Sequence, residues 1–448
     1  MIIWGKFKTS STQLIALGFL LIILLGAFAL SLPAANRSGQ RLQFLDALFT
    51  ATSATCVTGL VVHDTYTQFS LFGQIVILLL IQIGGLGFMT VATLFLMMAK
   101  RRIGLAERGV LAETVSAFHI GGIVRLIRRI LLCVGIFELT GAILLYIRFA
   151  PQMGAVTGAY YAVFHAVSAF CNAGFDLMGR FEPYTSLVPY RGDALVNLTV
   201  MMLIIVGGLG FVVWDDLIEH RLRLSRCRLH TKVVLVSTLI LITLGAIMFY
   251  WLERDHSLAL MNGGERLLAS LFQSVTPRTA GFNTVDTAAM GEGGTVLSML
   301  LMMIGASPGS TGGGMKTTTV VVIILSTVSY IRNSDDINLF HRRLDDSVLK
   351  RAYGNATIYM MLALSGIFLL MVTQGLPLKE VSFEVMSAIG TVGLSTGITR
   401  ELNGLSRLII IALMYSGRVG SLTLAMVLAA RMSRAAGLRN PQEKIIVS

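Results

Sequence analysis

Four short stretches decide how this chain reads: Ser53-Ala-Thr-Cys-Val-Thr-Gly-Leu60, Ser168-Ala-Phe-Cys-Asn-Ala-Gly-Phe175, Val275-Thr-Pro-Arg-Thr-Ala-Gly-Phe282 and Ser387-Ala-Ile-Gly-Thr-Val-Gly-Leu394. Each follows a short amphipathic segment and closes on a glycine before Leu or Phe. Gly59, Gly174, Gly281 and Gly393 therefore recur at intervals of roughly 110 residues, a period that marks tandem units. A second glycine landmark follows each: Gly84-Gly-Leu-Gly-Phe88, Gly207-Gly-Leu-Gly-Phe211, the run Gly305-Ala-Ser-Pro-Gly-Ser-Thr-Gly-Gly-Gly314, and Gly417-Arg-Val-Gly420. Gly-xxx-small packing motifs, common in membrane helices, account for the second landmark alone. Both landmarks in one order, four times, define four copies of one unit.

Outward from these stretches the chain is apolar. Of 448 residues, 54% are hydrophobic and 13% charged, against about 25% charged in soluble domains. Runs such as 14–32, 75–99, 195–213, 233–251 and 358–372 are nearly free of charge, and about 20 such residues cross a hydrocarbon core. Each unit reads as outer helix, half-helix, extended loop and inner helix. The outer helices are expected near 12–32, 124–149, 231–252 and 354–374. The half-helices fall near 44–54, 158–170, 264–276 and 379–389, too short to span. The inner helices are expected at 70–99, 194–219, 295–330 and 404–432. The expected fold is an all-α integral membrane protein with eight transmembrane spans, four re-entrant half-helices and pseudo-fourfold order around a central pore. Repeat 1 covers 1–105, repeat 2 106–228, repeat 3 229–345 and repeat 4 346–434, with a tail at 435–448.

The net charge of +12 could indicate a nucleic-acid partner, but its placement says otherwise. Basic residues gather in short loops between apolar runs. The two ends and the inter-repeat loops hold about two for each one on the pore-loop side. The positive-inside rule then puts both termini in the cytoplasm and the pore loops outside, in the plasma membrane. Lys6 and Lys8 precede an apolar run with no small-residue cleavage site, which reads as a retained helix. Cys56, Cys133, Cys171 and Cys227 lack CxxC spacing and read as packing residues.

Non-helical backbone at membrane depth survives only when buried in protein or lining a wet cavity. Four such loops can meet on one axis. Glycine admits backbone angles that turn carbonyls inward, and a ring of carbonyls replaces the hydration shell of a dehydrated cation. The half-helix C-termini add partial negative charge there. The expected filter is Cys56, Val57, Thr58 and Gly59; Cys171, Asn172, Ala173 and Gly174; Arg278, Thr279, Ala280 and Gly281; and Gly390, Thr391, Val392 and Gly393. No carboxylate ring or covalently bound cofactor is called for. Nor does the chain show the carboxylate pair, Ser–His couple or metal cluster of an intramembrane enzyme.

The loops just quoted, with Thr276-Pro-Arg-Thr-Ala-Gly-Phe-Asn283, the glycine-rich interruption of the third inner helix and Arg418 in the fourth, resemble the Trk/Ktr/HKT superfamily of potassium transporters. The resemblance spans essentially the whole chain and is closest to the KtrB-type membrane subunit of bacterial Ktr systems. Longer Trk-like subunits carry helices ahead of the first repeat. The resemblance implies K⁺ as substrate, because Gly59 stands where some Na⁺-transporting plant members carry serine. The alternative is a Na⁺-permeable or weakly selective transporter, with Na⁺ as activator or coupling ion in a symport. The resemblance also implies a homodimer and a separate cytosolic KtrA-type ring that binds nucleotide. It makes Gly305, Ala306, Ser307, Pro308, Gly309, Ser310, Thr311, Gly312, Gly313 and Gly314 a gate loop under the filter. Proline and five glycines in ten residues cannot continue a helix. A phosphate-binding loop is excluded, because Met315 stands where lysine must.

Arg418 is an intramembrane charge, functional by default, and is expected to bond gate-loop carbonyls. Lys316 is expected either at the gate or snorkelling to the boundary. Glu138 is expected to pair with a neighbouring helix away from the pore. His165 reads as a packing or hydrogen-bonding residue. Asp215 and Asp216 read as a solvated helix end.

Overall fold

The computed structural model describes residues 11–87, 90, 91, 93, 105–115, 122–334, 336–340 and 342–420. The tail 435–448, the end of the expected fourth inner helix and most of 88–99 lie outside the described residues, and with them many of the basic residues of the charge count.

Within this range the architecture is helical and repeats four times. The outer helices are Ser11–Ser31, Ile123–Met153, Leu229–Leu252 and Asp346–Gln374. These are the four continuous helices long and apolar enough to cross a membrane. Their sequences are apolar nearly all round, so they show little amphipathic bias, and Leu17, Leu21, Leu25, Leu139, Leu239 and Leu364 are exposed on them. An all-round apolar helix with an exposed leucine face belongs in lipid.

The half-helices are Phe44–Thr55, Ala155–Phe170, Gly263–Val275 and Leu378–Gly390. Each packs between the outer and inner helices of its own unit. The third opens on a capping box, in which the Asn262 side chain accepts from Glu265 N and the Glu265 side chain from Asn262 N. Reciprocal capping of this kind fixes a helix start. The inner helices are Leu71–Leu86, Ala194–Leu209, Glu292–Met303 and Gly404–Val419. Three start at side-chain caps: Ser70 Oγ accepts from Gly73 N, Asp193 Oδ1 from Val196 N, and Asn403 Oδ1 from Ser406 N.

The inner helices depart from expectation: none runs unbroken across its expected range. The first ends at Gly87 (φ 80°, ψ 133°), the second at Gly210 (φ 101°, ψ 142°) and the fourth at Gly420 (φ 96°, ψ 126°). Such a backbone is open to glycine and closed to nearly every other residue. The chain resumes after Gly210 as the helix Phe211–Glu219, turned by 89°. The third inner helix stops at Met303 and restarts at Thr317, which leaves 304–316 as a non-helical loop slightly longer than the expected 305–314.

The glycine landmark thus does two jobs. In the first, second and fourth units a Cβ on its first glycine would meet the carbonyl at the end of the same unit's half-helix: Thr55 O at 2.0 Å from Gly84, Phe170 O at 2.0 Å from Gly207, and Ile389 O at 2.1 Å from Gly417. The first glycine lets the half-helix seat; the last one breaks the helix.

Candidate functional site

The four stretches meet. A Cβ built on Gly59 would lie 2.6 Å from Ala173 O, one on Gly174 2.7 Å from Ala280 O, one on Gly281 2.4 Å from Val392 O, and one on Gly393 2.1 Å from Thr58 O. Each glycine therefore abuts the carbonyl preceding the glycine of the next unit, and the fourth returns to the first. The result is a closed ring in repeat order.

The backbone of each loop has one shape. The four glycines have φ of 94°, 68°, 80° and 94°, and the residues two positions earlier, Val57, Asn172, Thr279 and Thr391, have φ of 51°, 57°, 79° and 51°. The residues between, Thr58, Ala173, Ala280 and Val392, keep negative φ. Alternating handedness along a strand turns successive carbonyls toward the same side instead of alternating them across it. The non-glycine residues of the four loops are buried, so this strain is held by the surrounding packing.

Hydroxyl side chains brace the ring from behind. Ser53 Oγ accepts from Gly59 N at 3.1 Å and Ser387 Oγ from Gly393 N at 3.0 Å. Ser168 Oγ donates to Phe175 O at 2.6 Å, and Thr276 Oγ1 donates to Phe282 O. Repeat 3 lacks a serine at the matching position, where Val275 stands, and Thr276 supplies the hydroxyl one residue on. The half-helices end on the loops, so their C-terminal carbonyls bring partial negative charge to the ring. The hydroxyls of Thr58 and Thr391 are buried without a protein partner.

Not every expected residue contributes its side chain. Arg278 lies in the third loop, but its guanidinium turns back to Thr238 Oγ1 of the third outer helix at 3.5 Å. Gly390 is the last residue of its half-helix. Cys56 and Cys171 close theirs, and the Cys171 thiol faces Gln82 Oε1 at 3.5 Å. The four cysteines are free thiols.

The loop 304–316 lies directly against the inner layer of the ring. A Cβ on Gly312 would meet Thr279 Oγ1 at 2.2 Å, and one on Gly313 Thr391 Oγ1 at 2.3 Å. Phe211 N donates to Gly309 O at 2.7 Å, Thr311 N to Gly207 O at 3.2 Å, and Gly314 N to Gly417 O at 3.2 Å. The loop thus bonds repeats 2 and 4 from its place in repeat 3. Arg418 links it to repeat 1: Nη1 donates to Thr311 O, while Nη2 donates to Gly84 O and to Gly85 O at 3.2 Å. Lys316 does not snorkel; its Nζ donates to Gly312 O at 2.9 Å and Gly313 O at 3.4 Å inside the loop. Beneath lies a cavity of about 1250 Å³, lined among others by Lys316, Arg418, Arg228, Arg351 and Tyr359.

The other polar residues fall outside this axis. Glu138 accepts from Gln82 Nε2 at 3.0 Å, a pairing between neighbouring helices. His165 is buried, with Nδ1 2.7 Å from Tyr161 O and Nε2 accepting from Leu177 N. Asp215 pairs with Arg129. Asp216 corrects its reading: it is 2% exposed and accepts from Arg228 N and Thr231 Oγ1, so it caps the next outer helix. The turn that folds it inward carries no sequence signal beyond an acidic residue near the end of the preceding helix.

A helical bundle with four re-entrant loops closed into a ring defines a multi-pass membrane transport protein, not an enzyme. The model of the family described as "TrkH: Cation transport protein" matches residues 9–436. Ktr system potassium uptake protein B of Bacillus subtilis is 41% identical over 422 residues, 94% of this chain and 93% of that one. Potassium/sodium uptake protein NtpJ of Enterococcus hirae is 40% identical over 447 residues, 98% of each. The crystal structure of the potassium transporter TrkH from Vibrio parahaemolyticus superposes with a TM-score of 0.76 at 17% identity, covering 96% of this chain and 87% of that one. This chain belongs to the TrkH family of cation transport proteins, on its KtrB-type branch.

Proposed function

We propose that the chain is the pore subunit of a K⁺ uptake system and that the ring of Gly59, Gly174, Gly281 and Gly393 is its selectivity filter. The closure of that ring carries the reading. Four backbone turns of one shape offer an ion equivalent carbonyl oxygens, and oxygens held at fixed separation favour the cation whose lost hydration they match. The loop 304–316, pinned by Arg418 and Lys316, is the gate. Two cations at its underside raise the barrier to a permeating cation until the loop moves.

Further parts of this reading rest on charge placement and kinship. Both termini face the cytosol, the ring opens outward, and the four repeats divide at 105, 228 and 345. Two copies pair in the membrane, and a cytosolic nucleotide-binding ring docks on the basic inner face. The Bacillus relative, a potassium uptake protein by name, favours K⁺.

The test is uptake by the purified chain in liposomes, with K⁺ and Na⁺ offered separately and together. K⁺ uptake exceeding Na⁺ uptake is expected, and Gly59→Ser should narrow the difference. A second reading, a Na⁺-permeable transporter of the same architecture, is favoured by the Enterococcus relative, a potassium/sodium uptake protein by name. Equal passage of both ions by the unmodified chain would establish it in place of the first.

A further inference from the structure

At the turn between the second and third repeats, three side chains of metal-ligating type converge from two segments. Asp216 and His220 stand one helical turn apart on Phe211–Glu219 and its end, and Cys227 precedes the outer helix Leu229–Leu252. One potential ligand atom from each lies within 4.8 Å of the other two.

Asp216 is divided between two tasks. Its Oδ2 accepts from Arg228 N at 2.9 Å and from Thr231 Oγ1, capping the outer helix. Its Oδ1 is buried and accepts no hydrogen bond. His220 Nδ1 stands 3.2 Å from that oxygen and Arg228 Nε 3.7 Å from it. Cys227 is buried, its thiol making a long contact to Arg223 O at 3.5 Å and also interacting with the Asp216 carboxylate. Capping thus orients one carboxylate oxygen and leaves the other directed at an imidazole and a thiol.

We propose that Asp216 Oδ1, a ring nitrogen of His220 and Cys227 Sγ form a transition-metal site, suited to Zn²⁺. One oxygen, one nitrogen and one sulfur match the ligand set that zinc accepts, with water in the fourth place. Around zinc such atoms sit about 3.5 Å apart, so closure from the present spread needs a shift of about an ångström. His220 is partly exposed and Arg228 nearly half exposed, so both have room to move. Binding releases the Cys227 thiol proton to solvent and displaces Arg228 from Oδ1. The site would tie Phe211–Glu219 to the following outer helix. That segment begins where Phe211 N holds Gly309 O of the loop, so the metal would stiffen the frame on which the loop rests. This assignment stands independently of which alkali ion is carried.

The probe is Co²⁺ added to the purified full chain in detergent. About one equivalent should bind with a thiolate-to-cobalt charge-transfer band, and Zn²⁺ should abolish the band. Cys227→Ser should lose it, His220→Ala should weaken binding roughly tenfold or more, and Cys133→Ser should leave it intact. A wild-type chain with no such band overturns the assignment, as does a band that survives in Cys227→Ser. Should Cys227→Ser fail to fold, the wild-type chain decides: equal thermal unfolding temperatures in Zn²⁺ and in chelator overturn the site, and a rise with Zn²⁺ that His220→Ala lacks supports it.

Discussion

The ring and the loop beneath it are built from the same residue and differ in every other respect. The ring uses one glycine from each repeat, each abutting its neighbour's carbonyl, and is braced from behind by hydroxyls. The loop is found in one repeat, carries five glycines in its central ten residues, and is held by a few hydrogen bonds to repeats 2 and 4 and by two long cationic side chains. In the proposed pore, symmetry serves to surround an ion evenly, and it is abandoned in the single element proposed to leave the path. Glycine in the ring permits close approach at fixed angles; glycine in the loop leaves the backbone free to adopt more than one path.

The sharpest way to break this contrast is Gly393→Ala. The new methyl would lie 2.1 Å from Thr58 O, on a backbone with φ of 94°. Left-handed strain and overpacking together should cost about 2–5 kcal/mol. Thermal unfolding in detergent should fall and K⁺ flux should drop to background. Normal flux with an unchanged unfolding temperature would mean the ring does not define the path.

Deleting Ala306–Gly313 should act in the opposite direction. Removing an obstruction is expected to raise K⁺ and Na⁺ flux about fivefold or more while keeping their ratio. Unchanged or lower flux from a folded, inserted protein would remove the loop from the pathway.

Arg418→Ala should produce the same sign at smaller size. It strips charged donors from Thr311 O, Gly84 O and Gly85 O, each such bond contributing about 1.5–3 kcal/mol. Flux in liposomes should rise a few-fold with ion preference kept. A changed K⁺/Na⁺ ratio would shift Arg418 from the loop's tether to the ring's chemistry.

The smallest effect is expected for Ser387→Ala, which leaves Gly393 N without its hydroxyl acceptor at 3.0 Å. A loss of about 1 kcal/mol should lower the unfolding temperature slightly and reduce K⁺ over Na⁺ discrimination by less than tenfold. A larger change than that of Arg418→Ala would show the hydroxyl brace to be the weak point of the ring.

Much of the site was legible because its parts are backbone features that need glycine. Gly59, Gly174, Gly281 and Gly393 announce themselves by recurrence, and the run 305–314 by its unsuitability for helix. Side-chain direction was not legible. Arg278 sits in a filter-like stretch yet turns back to Thr238, and Lys316 bends into its own loop. Asp216 read as a solvated helix end and proved to be the buried cap of the next helix. Each outcome depends on a neighbour distant in sequence, and no local pattern encodes it.

Taken alone, the amino-acid order determined that the chain lives in lipid, that one unit is repeated four times, and which glycines mark its turns. Those properties follow from hydropathy and backbone sterics, which act locally. Only the tertiary structure decided that the turns close into a ring in repeat order and that the inner helices break at Gly87, Gly210 and Gly420. It also decided that Arg418 spans from the loop to the first repeat. Those are contacts between segments on the order of 100 residues or more apart, and such contacts form only when every repeat has packed against the next.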